Sequence, residues 1–190
     1  MHVAKLGDLA TGLMASGLVL PQDFVTFQTR SNLHGVLDSV SVTGCRSDIS
    51  GPLPSPVDPG AFLVRFLRDQ QDCVFWYLYL RPLAAPFVVC SGIDYEHEYE
   101  AERDGWRAEA GLHDAHGQRT PVRWCAPSFE EFAYRFWIEN RLWGAVRSGA
   151  LSGLEPELRD YLRHYAPGKV LALEKAWKPA RKHSGTYVRA

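Results

Sequence analysis

The sequence predicts an α+β domain, with a central, mostly antiparallel sheet flanked by helices at the N- and C-terminal ends. Apolar residues recur at helical spacing near both ends of the 190-residue chain, and short runs rich in aromatic and β-branched residues occupy its middle. A chain of this length is expected to form one core. We therefore expect a single domain over residues 1–168 with a polar insert at 91–121, followed by a basic, disordered or loosely docked tail at 169–190.

Two helices are predicted before the sheet. Residues 3–16 carry apolar side chains at helical spacing, Leu6 and Leu13 among them. A second helix is expected from Pro21, whose fixed φ suits a first turn, to about Leu33.

Strand patterns begin after these helices. Val40 and Val42 alternate with polar neighbours and predict a strand over residues 39–45. Prolines and glycines dominate residues 51–60, which predicts an extended or turning loop. Two dense apolar runs then flank a polar connector and predict a β-hairpin, and two further short strands are expected. The hairpin strands are 61–67 and 73–80, and the later strands are 87–90 and 122–125. The run 73–80 is apolar on both faces, as expected of a central strand covered on both sides.

A long helix is predicted to follow the sheet. Ser128 is a good N-cap, and Glu131 stands three residues later, which completes a capping box. Residues at helical spacing then share one face, and another helical stripe is predicted over 154–165. The shared face carries Phe129, Phe132, Ala133, Phe136, Asn140 and Trp143.

Composition and charge exclude several classes of function. The chain has 21 basic and 22 acidic residues and a formal net charge of −1, so we expect no binding to nucleic acid. No apolar run reaches the roughly 18 to 20 residues that span a bilayer. The four cysteines form no C-x-x-C pair, and three of them lie in or beside apolar strand patterns. We therefore expect a cytoplasmic protein with free thiols and no membrane association.

No sequence pattern predicts catalysis or a cofactor. Phosphate-binding, dinucleotide-binding and nucleophile-elbow motifs are missing from the sequence. Cys125 lies just before a predicted helix N-terminus, where the helix dipole favours a thiolate, but core packing in a strand explains it with no further assumption. We expect no catalytic residue, no cofactor and no metal.

Three histidines leave an alternative open. His97, His113 and His116 lie in the polar insert among several carboxylates, and imidazole and carboxylate are ligands of zinc and other transition metals. Their spacing matches neither the H-E-x-x-H helix nor a zinc finger, so a solvated loop is the simpler interpretation. The alternative is a metal-dependent enzyme built on this insert.

Three segments of the chain together resemble a known family. They are Leu20-Pro-Gln-Asp-Phe24 at a helix entry, Trp76-Tyr-Leu-Tyr79 at the end of a strand hairpin, and Ser128-Phe-Glu-Glu-Phe132 followed by Arg135-Phe-Trp-Ile-Glu-Asn140. In this order they resemble the SUKH superfamily of Smi/Knr-like proteins, over about residues 20–165. The resemblance implies an α+β fold, a protein-binding role and no shared catalytic residues. Many bacterial members are similar to immunity proteins that block toxin domains, often nucleases, whereas others are regulatory scaffolds.

The sequence therefore predicts a non-enzymatic protein-binding module, with an immunity-type protein as the first interpretation. Acidic residues between the predicted strands and in the insert would suit a basic, nucleic-acid-cleaving partner by electrostatic complementarity. The candidate partner-binding residues are Asp69, Asp72, Glu96, Glu98 and Glu100. For Asp69 and Asp72 the simpler interpretation is that they form the turn of the hairpin.

Overall fold

The computed structural model describes residues 2–103, 122–150 and 153–165. The chain divides into two compact units, Met1–Asn140 and Arg141–Ala190. The predicted domain end at residue 168 and the basic tail lie outside the described residues and stay predictions. The helices are α1 His2–Met14, α2 Gln22–Thr29, α3 Val36–Val40, α4 Tyr95–Arg103, α5 Phe129–Ser148 and α6 Pro156–Tyr165. The strands are β1 Arg46–Ser47, β2 Leu53–Pro54, β3 Phe62–Arg68, β4 Phe75–Leu80, β5 Phe87–Ser91 and β6 Arg123–Ala126.

The predicted α+β class is confirmed, because all six strands join one antiparallel sheet. Its order is β1-β3-β4-β5-β6, and β2 pairs with the opposite end of β3 from β1. The predicted hairpin is the pair β3–β4, and β4 lies between β3 and β5 at the centre of the sheet. Within the described residues no helix is long and apolar enough to cross a membrane.

One face of the sheet is covered by an apolar, aromatic cluster. Phe24 of α2 and Phe129 of α5 have ring centroids 5.0 Å apart, and Phe66 of β3 lies 5.1 Å from Phe129, all edge to face. Leucines of α1 complete the cluster, which holds Leu6, Leu9 and Leu13. We call this side the aromatic face.

The other face carries a smaller cluster rich in tyrosine. Tyr77 and Tyr79 of β4 are buried there together with Tyr95 of α4. Since β4 contributes Leu78 and Leu80 to the aromatic face, the prediction of a central strand covered on both sides is confirmed. We call this second side the tyrosine face.

The start of α5 bears out the predicted capping box in its N-cap half. The backbone N–H of Glu131 donates to Ser128 Oγ at 3.1 Å. Asp23 of α2 supplies a second cap from a distant part of the chain, because the N–H of Glu130 donates to its Oδ2 at 2.9 Å. Trp143, which the helical stripe assigned to the core face, is 51% exposed.

The predicted strand over 39–45 is wrong. The helix α3 occupies its first two residues, beginning after Gly35, which has a left-handed φ of 81°. Val42 donates its N–H to Asn140 Oδ1 at 3.2 Å rather than to a neighbouring strand. The two valines therefore do not alternate along a strand: half-buried Val40 ends α3, half-buried Val42 lies in the loop after it, and the ladder begins only at Arg46.

Two other boundaries also differ from the sequence pattern. The second helix ends at Thr29, four residues before the predicted end at Leu33, because Arg30 is extended and a turn follows. The start of the polar insert is ordered secondary structure, since Ser91 ends β5 and α4 follows. Residues 104–121, the rest of that insert, lie outside the described part of the chain.

In the second unit, α6 is an amphipathic helix with Leu158 buried. Arg141 forms an ion pair with Glu155 within this unit. The rings of Tyr161 and Tyr165 lie 4.5 Å apart, one turn from each other. The predicted helical stripe over 154–165 is thus confirmed.

Candidate functional site

A buried arginine organises the tyrosine face. Arg65 stands in the middle of β3, whose other residues are apolar apart from Arg68 at its end, and its side chain is only 5% exposed. A buried guanidinium must be paired to be tolerated. Arg65 contacts three carboxylates, those of Asp94 and Glu96 at the start of the α4 region and that of Asp48 at 3.1 Å.

These contacts keep Arg65 charged. Burial alone would lower its pKa, but the negative charges of Asp94, Asp48 and Glu96 outweigh burial and raise the pKa above its ordinary value. The guanidinium carbon also lies 6.0 Å from the centre of the Phe75 ring. Arg65 is therefore a permanent positive charge that holds three segments of chain together.

The ion pairs continue from Arg65 to the hairpin turn. Asp48 is shared with Arg68, whose Nε lies 3.1 Å from the carboxylate. Arg68 in turn binds Asp72 at 2.9 Å, and Arg46 approaches Asp72 at 3.9 Å. We call these residues the ion-pair chain; they are Arg46, Asp48, Arg65, Arg68, Asp72, Asp94 and Glu96. It connects the two acidic segments that the sequence analysis selected separately.

The ion-pair chain fixes the start of α4. Asp94 acts as its N-cap, because the N–H of Glu96 donates to Asp94 Oδ1 at 3.2 Å while the same carboxylate binds Arg65. Tyr77 donates its hydroxyl to the Ile93 carbonyl at 2.7 Å and accepts the N–H of Tyr95 at 3.2 Å. These contacts orient the helix with respect to the sheet.

Two tyrosines complete this anchorage. Burial is the main reason that the pKa of Tyr77 is raised, so its phenol stays protonated and available as a donor. Tyr99, one turn after Tyr95, donates its hydroxyl to the Pro54 carbonyl of β2 at 2.9 Å. The side of α4 that carries Tyr95 and Tyr99 is therefore docked on the sheet, and its other side is outward.

The five candidate partner-binding residues fall into two groups. Asp69 accepts the N–H groups of Cys73 and Val74 at 2.7 and 3.1 Å, and its carbonyl accepts the N–H of Asp72 at 3.2 Å, as expected of a turn former. Asp72, with a left-handed φ of 54°, and Glu96 are members of the ion-pair chain.

The second group is Glu98 and Glu100, which take no part in the anchorage. Glu98 is half-buried and Glu100 is exposed, and neither carboxylate is paired with another described residue. Exposed His97 is opposite Tyr95 and Tyr99 at helical spacing, with Glu98 and Glu100 on either side of it. The part of α4 that is not docked thus carries two carboxylates on a helix that the anchorage holds in place. We define Glu98 and Glu100 as the α4 acidic surface.

Sequence reasoning missed Asp48 and Arg65. The signal for Arg65 is present in the strand itself, since a charge at the centre of Phe-Leu-Val-Arg-Phe-Leu-Arg requires a partner if that strand is central. The identity of the partner could not be found this way. Asp48 and Asp94 are 17 and 29 residues away from Arg65 in sequence, and only the fold brings them to it.

The described residues give little support to a metal site or to a nucleophilic cysteine. No group of three or more His, Cys, Asp or Glu side chains among them could hold a metal ion. His113 and His116 lie outside the described residues, so the metal-enzyme alternative stays a prediction. Burial, with the neighbouring Cys90, raises the pKa of Cys125 to about 12, which disfavours the thiolate that a nucleophile needs.

A separate apolar groove lies between the α1–α2 connection and the β4–β5 turn. Its cavity volume is about 650 Å³, and its lining is apolar apart from Gln22 and Arg81. Leu83 in the turn is fully exposed and has a left-handed φ of 57°. The groove contains no cluster of ionisable groups and adds no chemistry to the acidic surface.

Comparison with protein-family models, with curated proteins and with solved structures finds no match to this chain.

Proposed function

We propose that the protein is a non-enzymatic, cytoplasmic binding module of the immunity type, which binds and inhibits a bacterial toxin domain. The resemblance to the SUKH superfamily motivates the choice of toxin inhibition. The observation that carries the proposal is the α4 acidic surface, because its carboxylates lie outside the docked side of a helix that the ion-pair chain and two tyrosines hold in place.

The chemistry of the partner follows from this surface. Carboxylates that no other described residue binds can meet lysine or arginine side chains, as on a nuclease that must bind a phosphate backbone. Because α4 is already helical, little backbone conformational entropy is lost when these carboxylates are engaged, and the main entropic cost is that of the glutamate side chains. Complementary charge of this kind mainly accelerates association and selects the partner.

The test starts with the purified chain as bait for the protein encoded beside it in the genome and for a lysate, with bound proteins identified by mass spectrometry. A single stoichiometric partner whose toxic or nuclease activity falls on binding is expected. A host partner without such activity would indicate a regulatory scaffold, and it would overturn the immunity proposal.

The surface is then tested by charge reversal in the identified complex. Glu98→Lys combined with Glu100→Lys is expected to weaken binding by roughly tenfold or more at low ionic strength. The loss should shrink in high salt, since the Debye length falls from about 10 Å at 0.1 M to about 3 Å at 1 M. The measurement is the association rate and affinity as a function of salt.

A matched control separates the surface from net charge. Asp8 is exposed on α1, whose leucines face the aromatic side of the sheet. Asp8→Lys changes the net charge as much as Glu100→Lys does, and both positions are helical. Equal losses from these two single variants would contradict a role for the α4 acidic surface.

A further inference from the structure

Two thiols lie next to each other on neighbouring strands. Cys90 is on β5 and Cys125 on β6, and the neighbouring Cys90 contributes to the raised pKa of Cys125. Across the ladder Cys90 pairs with Arg123, and the register shifts between Trp124 and Ala126 so that Cys125 is the additional residue of a bulge. The strand pairing and the bulge bring the two cysteines close together on adjacent strands.

Both thiols belong to the aromatic face and both are partly accessible. Cys125 packs against the aromatic cluster, and Cys90 follows Val88 of that cluster by two residues, which puts it on the same side of β5. Each is intermediate in burial, so small oxidants can reach the pair. The other two cysteines differ, because Cys45 is buried and Cys73 is exposed in the hairpin turn.

We propose that Cys90 and Cys125 are a modification site, an oxidisable dithiol that a hydroperoxide converts into a disulfide between β5 and β6. In the first step one thiolate attacks a peroxide oxygen, the O–O bond breaks, and a sulfenic acid and the reduced product of the peroxide form. In the second step the other sulfur attacks the sulfenic sulfur, the S–O bond breaks, and the oxygen leaves as water. Two thiols lose two electrons, and the peroxide accepts them.

The surroundings assign an order to these steps. Burial and the neighbouring Cys90 raise the pKa of Cys125, so Cys125 is disfavoured as the thiol that reacts first. Cys90 therefore takes the first oxidation and Cys125 resolves it. Arg135 acts in the opposite direction on the pKa of Cys125, since its positive charge favours the thiolate. Its Nη1 also donates to the Cys125 carbonyl at 3.5 Å.

The position of the pair gives the bond a consequence. Residues 91–124 lie between the two cysteines and include α4, so the disulfide would close the loop that carries the α4 acidic surface. Closing a loop of this length restricts the unfolded chain and resists local opening of β6 from β5. The regulatory part of this inference rests on the proposed function, because it predicts that oxidation changes how firmly α4 is presented to a partner.

The experiment oxidises the reduced full-length chain with hydrogen peroxide near pH 8 and then blocks the remaining thiols with N-ethylmaleimide. We expect the intact mass to show two blocked thiols instead of four, and non-reducing peptide mapping to show Cys90 linked to Cys125. Dithiothreitol should restore all four. The melting temperature of the oxidised chain should rise by roughly 5–10 °C.

Three variants give this result a control. Cys73→Ser removes the exposed thiol and should leave the linkage intact, whereas Cys90→Ser and Cys125→Ser should each abolish it. Four blocked thiols after oxidation of the natural chain would overturn the proposal. So would sulfinic acid at Cys90, or a linkage through Cys73, in place of the expected bond.

Partner binding is measured separately, with oxidised and reduced protein. A linked pair with unchanged affinity would overturn the regulatory part and leave the modification site in place. The linkage itself is decided by mass alone, so it can stand or fall whether or not the protein is an immunity protein.

Discussion

The two faces of the central sheet are held by different forces. On the aromatic face, phenylalanines from α2, β3 and α5 meet edge to face, and leucines of α1 cover them. On the tyrosine face, one buried arginine, three carboxylates and the hydroxyls of two tyrosines fix α4. Both faces bury side chains of the same central strand.

This difference separates stability from positioning. Apolar burial is non-directional, so the aromatic face can tolerate conservative repacking while it supplies much of the driving force for folding. Hydrogen bonds and ion pairs depend on geometry, and their net contribution is smaller because the groups are well hydrated in the unfolded chain. The tyrosine face therefore suits a surface that must keep one orientation.

The largest expected effect is on the aromatic face. Phe129→Ala removes the ring that touches Phe24, Phe27 and Phe66, and we expect a loss of about 3–5 kcal/mol in the free energy of unfolding. Urea denaturation followed by tryptophan fluorescence measures this loss. Phe129→Leu should recover much of it, and an equal loss from both variants would contradict the view that apolar volume dominates here.

A smaller effect is expected from the buried charge. Arg65→Ala leaves three carboxylates without their common partner, but these are 22–31% exposed and can be rehydrated, so we expect a loss of about 2–4 kcal/mol. Chemical denaturation measures the loss, and hydrogen exchange should show it most strongly in α4.

The compensating variant sharpens this prediction. Arg65→Met with Asp94→Asn and Glu96→Gln removes three charges together, leaves Asp48 paired with Arg68 and keeps an N-capping side chain at position 94. It should be more stable than Arg65→Ala, because the repulsion between Asp94 and Glu96 is gone and methionine restores the packing of the arginine stem. If it is no more stable, neither the carboxylate repulsion nor the lost packing explains the destabilisation by Arg65→Ala.

The sequence predicts the aromatic face better than the tyrosine face. Helical spacing and the capping box located Phe129 and Phe132, and the dense hairpin runs located β3 and β4, because these signals are local. The tyrosine face depends on contacts between residues distant in sequence. No residue near Asp48 in sequence indicates that it binds both Arg65 and Arg68. In α4 the local signal is the helical spacing of Tyr95 and Tyr99, which is hard to recognise among the charged residues around it.

The predicted acidic residues show the same division. Glu98 and Glu100 come from the acidic run alone, and their role in partner binding stays a prediction. Glu96 belongs to the same acidic run but forms an ion pair with Arg65, and local sequence does not distinguish it from its neighbours. A charge reversal at Glu96 would therefore test folding rather than partner binding.

A single hydroxyl on the tyrosine face should have a moderate effect. Tyr77→Phe keeps the buried ring and removes the donor to Ile93 and the acceptor for Tyr95. Because one buried and one partly buried backbone group lose their partner, we expect a loss of about 1–3 kcal/mol. Tyr79→Phe is the matched control, since its hydroxyl bonds to Ser55 in a partly buried site, and its loss should be smaller.

The smallest effect is the response of the same hydroxyl to alkaline pH. Burial raises the pKa of Tyr77 above its ordinary value of 10.0, so above that pH the unfolded chain releases the phenol proton while the folded chain keeps it. Stability is therefore present below pH 10 and is lost as the pH rises, by roughly 1 kcal/mol at about pH 10.5 from this group. Tyr77→Phe lacks the group, so the stability difference between it and the natural chain should narrow over this range in thermal unfolding. A constant difference from pH 8 to pH 10.5 would mean that the phenol is hydrated in the folded chain, and the tyrosine face would then be held by its ion pairs rather than by a dry hydrogen-bonded core.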